Sequence, residues 1–116
     1  MRRNNLLSRL TQIEKTLLEK NYQENLKRFE DCSQEKSFNP VVRFFNPAGL
    51  GEWYLTELSP EAIGYGLCCL SEVEFGYVSL DEMSTLRLPM GLCIEKNLYF
   101  DNKGLTLRDW NKKLRS

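Results

Sequence analysis

Glu57, Glu74 and Glu95 are carboxylates set within strand-like apolar stretches, and any two brought together could do acid–base work. Environment can push paired carboxyl pKa values apart, leaving one group as general acid and the other as base. Their oxygens could equally hold a divalent cation. The rest of the catalytic vocabulary is thin. Histidine is absent from the 116 residues, which removes every imidazole base, triad member and metal ligand. There is no Asp-x-Asp cluster, glycine-rich phosphate loop or nucleophile elbow. Cys93 would need an activating cation such as Lys96, and a strand thiol in apolar surroundings is inert. Ion pairing with Arg43, Arg87 or Lys96 is the simpler role for the three glutamates. A carboxylate-based hydrolase is therefore the weakest functional reading, and neither a cofactor nor a metal is implied.

Charge offers a second kind of chemistry. Sixteen Lys and Arg balance sixteen Asp and Glu, but unevenly along the chain. Residues 1–36 carry eight basic and six acidic side chains, and residues 101–116 carry five and two. Residues 37–100 carry three basic against eight acidic side chains, a net −5. An acidic field attracts basic protein surfaces and repels nucleic acid. Glu52, Glu57, Glu61, Glu72, Glu74, Asp81 and Glu82 are the candidate interaction surface. Arg2, Arg3, Arg9, Lys112, Lys113 and Arg115 could form a composite basic patch for DNA. Trp53, Tyr54, Tyr65, Tyr77 and Tyr99 could stack on bases if exposed. Their acidic surroundings favour a place in the core instead.

These groups must be positioned by a single domain spanning 1–116. It divides into a helical segment and linker at 1–36, a sheet region at 37–100 and a helix within 101–116. Leu6, Leu10, Ile13 and Leu17 recur at helical spacing, and Leu18, Tyr22, Leu26 and Phe29 continue with a shifted phase. The heptad fails at Lys20 and Glu24, so this long helix is expected to pack on its own sheet rather than form a coiled coil. Polar residues 30–40 read as a linker. The pattern then switches to a period of two. Strands are expected at 41–45, 52–58, 63–70, 73–79 and 92–100, with a helical turn at Ser59-Pro60-Glu61. The 63–70 and 73–79 hairpin is best registered with Leu67 opposite Phe75, Tyr65 opposite Tyr77 and Gly66 opposite Gly76. The glycine pair marks a close approach to the backbone, by a helix or by a ligand. Ser79 and Glu82 form a capping box for a helix at 80–87 with Leu80, Met83 and Leu86 buried. Thr106 and Asp109 do the same for 107–115, where Lys112, Lys113 and Arg115 suit the helix dipole. The fold class is α+β: a mainly antiparallel sheet of four or five strands on a long N-terminal helix, with short helices after the strands.

Cys32, Cys68, Cys69 and Cys93 form no Cys-x-x-Cys pair, and buried, reduced thiols are expected. No run reaches the ~20 apolar residues of a membrane span. Met1-Arg2-Arg3-Asn4-Asn5 leads into an amphipathic segment rather than an apolar secretory core, so a cytoplasmic location is expected.

The order of central motifs is informative as a set. Val42-Arg43-Phe44-Phe45, Trp53-Tyr54-Leu55-Thr56-Glu57, Tyr65-Gly66-Leu67, the run Glu74 to Met83 and the run Gly91 to Phe100 together resemble the bacterial domain-of-unknown-function family DUF2958. Lys96-Asn97 stands where the family usually has Arg-Asp. The resemblance implies a bacterial accessory protein carried on conjugative plasmids and integrative elements, and supplies no reaction or catalytic residue. A non-enzymatic protein-interaction module is therefore expected, presenting the acidic surface to a basic, DNA-handling protein partner. Direct DNA binding through the basic ends is the alternative.

Overall fold

The computed structural model describes residues 5–116. Five antiparallel strands form one sheet in the order β4-β3-β2-β1-β5. They are β1 (Val42–Phe45), β2 (Glu52–Leu58), β3 (Ile63–Cys69), β4 (Val73–Ser79) and β5 (Glu95–Lys96). Helices α1 (Leu6–Arg9), α2 (Gln12–Glu30), α3 (Leu80–Thr85) and α4 (Leu107–Arg115) complete the α+β fold. Period-two alternation sorts the strand side chains. Val42, Phe44, Trp53, Leu55 and Leu58 fill a first face with Leu6, Leu18, Leu80, Met83 and Ile94. Tyr54, Leu67 and Cys69 fill a second face beneath Leu107 and Trp110 of α4. Tyr54 stacks on Trp110 at 5.2 Å, with Phe100 edge-on to it at 5.8 Å.

The N-terminal periodicity resolves into two helices rather than one. Leu10 is extended, and Thr11 restarts the helix through a complete capping box with Glu14. That restart resets the phase, so Leu18 and Asn21 are buried while Ile13 is 81% exposed. The expected helical turn at Ser59-Pro60-Glu61 is instead a β-turn joining β2 to β3. Ala62 N–H donates to the Ser59 carbonyl at 3.0 Å, with Ala62 in the left-handed region at φ 63°. Proline at the second turn position fits this geometry equally well. The 92–100 strand shrinks to β5, because Asn97 accepts the Tyr99 N–H at 2.9 Å and turns the chain. Ile94 therefore enters the first core and Phe100 the second. Leu98 and Tyr99 project outward, as does Leu86 beyond the end of α3. Cys32 is exposed, whereas burial pushes the Cys69 thiol up to about 11.

The β3–β4 register is the expected one, with Leu67 opposite Phe75, Tyr65 opposite Tyr77 and Gly66 opposite Gly76. What approaches Gly66 is neither a helix nor a ligand. A Cβ there would lie 1.8 Å from the Tyr54 carbonyl oxygen, so the neighbouring strand itself occupies the space. The expectation that all five large aromatic residues line the core is corrected. Trp53 and Tyr54 do, but Tyr65 is half-buried and Tyr77 exposed because α4 covers only the Tyr54 end of the second face, and Tyr99 is exposed in the turn after β5.

Candidate functional site

Leu55 and Leu58 both face the first core although they are three residues apart, which regular alternation forbids. A register shift between Leu55 and Glu57 supplies the extra residue. The bulge turns Glu57 away from the leucine core and places it opposite Tyr65, which lies opposite Tyr77. A Glu–Tyr–Tyr row thus crosses three strands of the second face. The two tyrosine rings are 5.0 Å apart and tilted.

Pairing with β1 stops at Leu55, where Val41 N–H donates to its carbonyl at 2.8 Å. The end of β2 is left for α2. Asn21 Nδ2 donates to the Thr56 carbonyl at 2.9 Å. One turn on, Asn25 Nδ2 donates to Glu57 Oε2 at 2.9 Å and to the Lys36 carbonyl at 3.0 Å. Asn25 Oδ1 accepts the Lys36 N–H at 2.9 Å. The polar linker is accordingly a fixed strap. It is tied to α4 by Leu107 N–H donating to the Phe38 carbonyl at 2.8 Å and Arg108 N–H to Ser37 Oγ at 3.3 Å.

Between α2, strap and sheet lies a groove of about 320 Å³ whose walls include Tyr22, Phe29, Glu35, Glu57, Tyr65 and Tyr77. Glu57 is only 8% exposed, and its Oε1 receives no donor among the described residues. Burial raises its carboxyl pKa, the Asn25 hydrogen bond pulls it down, and the negative charge of Glu35 raises it again. Burial, followed by the charge of Glu35, pushes the Tyr65 phenol up to about 12, so it stays protonated. Phe29 and Tyr77 stand at the rim, 80% and 74% exposed. Carboxylates ringed by aromatic faces are a site for an organic cation. A second cavity of about 210 Å³ shares Glu35, Glu57 and Tyr65 and continues past the strap to Arg108.

The other candidate residues disperse. Glu52 is held by Arg43, whose Nε donates to it at 2.9 Å, and Tyr54 Oη donates to the same carboxylate at 3.2 Å. Glu61 lies in the β2–β3 turn, at the end of the sheet where Asp81 and Glu82 open α3. Glu72 lies in the opposite turn, and Glu74 sits opposite Cys68 on the first face. Glu57, Glu74 and Glu95 do not converge. Glu74 and Glu95 belong to opposite edge strands, four strand spacings or ~19 Å apart. The expected pairing of these glutamates with Arg43 and Lys96 is corrected too, since Arg43 takes Glu52 and Lys96 takes Glu14. Among the described residues no group of three or more Cys, Asp or Glu side chains is placed to share a metal ion. Of the basic candidates, Arg9 ends α1 on the first-face side, whereas Lys112, Lys113 and Arg115 ride on α4 over the second. Arg2 and Arg3 lie outside the described residues. Sequence reasoning missed Glu35 and Asn25, and the one signal available was Gly66, since a glycine inside a strand often marks a bulge beside it.

Fold and groove together define an α+β protein built on a five-stranded antiparallel sheet, with an acidic, aromatic recess at one end of one face. The chain belongs to the family described as protein of unknown function (DUF2958), whose model matches residues 9–115. The match extends the resemblance beyond the sheet to α2, the strap and α4. No curated protein and no solved structure shows significant similarity to the chain. No helix among the described residues is long and apolar enough to cross a membrane.

Proposed function

We propose that this protein is a non-enzymatic interaction module of a bacterial mobile element, docking a basic, DNA-handling protein through acidic side chains of its central segment. The mobile-element setting comes with the family resemblance. The observation that carries the binding role is the charge imbalance around the sheet. Arg43 and Lys96 are committed to Glu52 and Glu14. Neither base is therefore available to neutralise Glu57, Glu61, Glu72, Glu74, Asp81 or Glu82. That charge remains for a partner, and a cationic protein surface complements it where a phosphate backbone does not.

Retention of basic proteins from a bacterial lysate on the immobilised chain tests the role. Binding is expected at low salt, weakening as salt rises, and lost in a variant carrying Glu61→Lys, Glu72→Lys and Glu74→Lys together. Failure to retain any basic protein at low ionic strength overturns it. So does a salt-sensitive gel shift of duplex DNA that the triple variant leaves unchanged.

A further inference from the structure

We propose that the groove at Glu57 is a receptor for one arginine side chain of a partner polypeptide, its guanidinium held by Glu57 and Glu35 against the Tyr65 and Tyr77 rings. This deepens the binding role above and rests on it. The molecule already contains a filled site of the same parts, on the same sheet face. At the far end of β2 the Arg43 guanidinium lies 5.1 Å from the Phe45 ring centroid and 5.9 Å from that of Tyr54. It hydrogen-bonds Glu52, whose carboxylate also accepts from Tyr54 Oη at 3.2 Å. At the Glu57 end the carboxylate and tyrosines recur, and the base does not.

Three features distinguish this groove from a merely acidic surface. Glu57 is 8% exposed, yet its Oε1 has no donor among the described residues, so one lone-pair face of a nearly buried carboxylate opens into the recess. That oxygen is not itself out of solvent, so a ligand donor entering the recess can reach it directly. Next, Asn25 fixes Oε2 and the strap at once, holding the site in shape before any ligand arrives. Finally, Phe29 and Tyr77 leave large rings in solvent at the rim, an arrangement suited to the stem and face of a long cationic side chain. Arg108 lines the adjoining cavity but forms no ion pair with Glu35 or Glu57. Arginine is favoured over lysine because its planar fork can stack on a ring while donating to a carboxylate edge-on.

The test is an NMR titration of the intact chain with N-acetyl-arginine methylamide, with the lysine and glutamine analogues as comparators. Saturable shifts of the Tyr65 and Tyr77 ring signals are expected with arginine, weaker ones with lysine and none with glutamine. Glu57→Gln should weaken arginine binding by about tenfold, the scale of one charge-assisted hydrogen bond. Glu35→Gln, on the exposed strap, gives a second variant with little risk to folding, and a several-fold loss is expected. Glu19→Gln, an exposed position of α2 that does not line the groove, should change nothing. Shifts spread over the whole acidic surface, or binding that survives both Glu57→Gln and Glu35→Gln, overturn the assignment. The two proposals fail separately. Basic proteins retained equally by wild type and Glu57→Gln would sink the receptor alone. Arginine bound in the groove of a chain that retains no basic protein would sink the docking role.

Discussion

The two ends of the second sheet face are built from the same side chains and come to opposite states. At the β1 end Glu52 lies beside Tyr54, and Arg43 closes the group with charge-assisted hydrogen bonds. Burial alone would lower the guanidinium pKa, yet the Glu52 contacts raise it overall. α4 then covers the neighbouring rings. At the other end Glu57 lies beside Tyr65, burial and Glu35 raise its carboxyl pKa, and only a neutral asparagine answers it. Charge is neutralised within the molecule at one end and left standing at the other. A fold selected for stability alone would have no reason to keep the second arrangement, because an unpaired carboxylate nearly out of solvent is a standing cost.

The bulge that separates the two ends is the place where this contrast can be broken outright. Gly66→Ala would put a methyl 1.8 Å from the Tyr54 carbonyl, and neither strand backbone can yield without opening the ladder. A loss of at least about 3 kcal/mol, the top of the overpacking range, is expected in urea unfolding. Gly76→Ala, directly across the hairpin, meets only the Cys68 sulfur at 3.5 Å and should change stability by less than about 1 kcal/mol. Equal effects at both glycines would mean the bulge does not hold Glu57 on its face.

Asn25→Ala is the next largest change. It deletes three hydrogen bonds, to Glu57 and to both backbone groups of Lys36, and should cost about 2–3 kcal/mol. Because Asn25 also pulls the Glu57 pKa down, its removal should raise that pKa further, which carboxyl-detected NMR can read. At the closed end, Arg43→Met should cost only about 1 kcal/mol, since the Arg43–Glu52 pair is partly solvated. A larger cost there than at Asn25 would reverse the ranking of the two ends.

The legibility of each end follows from how local its cause is. Arg43, Tyr54, Leu67 and Cys69 fall where period-two alternation puts them, and the hairpin register follows from matching large residues across β3 and β4. The capping box at Thr106 and Asp109 is a four-residue signal and forms in full. Glu57 was legible as a carboxylate in a strand but not by its face, because a bulge is a property of two strands and leaves only Gly66 as its trace. Glu35 was illegible as a site residue. Nothing in a polar run such as Ser33-Gln34-Glu35-Lys36 says that a distant Asn25 will pin it beside a buried acid. The phase break at Thr11 was written in the Thr-x-x-Glu pattern but masked by the leucine repeat running through it.

The finest distinction between the ends is one of sign. Removing charge at Arg43 destabilises, whereas removing it at Glu57 should stabilise. Glu57→Gln keeps an acceptor for Asn25 Nδ2 while abolishing both the burial cost of the anion and its repulsion from Glu35. A gain of about 0.5–1 kcal/mol at neutral pH is expected, together with the loss of arginine binding. The pH dependence fixes the cause. The folded-state pKa of Glu57 is raised, so the unfolded chain gives up its proton first as pH rises. Stability from this group is therefore whole below the ordinary carboxylate range and is lost as pH climbs through the raised value. Wild type and Glu57→Gln should coincide at acid pH and separate above it, the variant becoming the more stable. Urea midpoints of the two proteins measured across that window decide the matter. A difference that stays constant with pH would trace the stabilisation to packing, and the carboxylate would no longer count as a charge held in reserve.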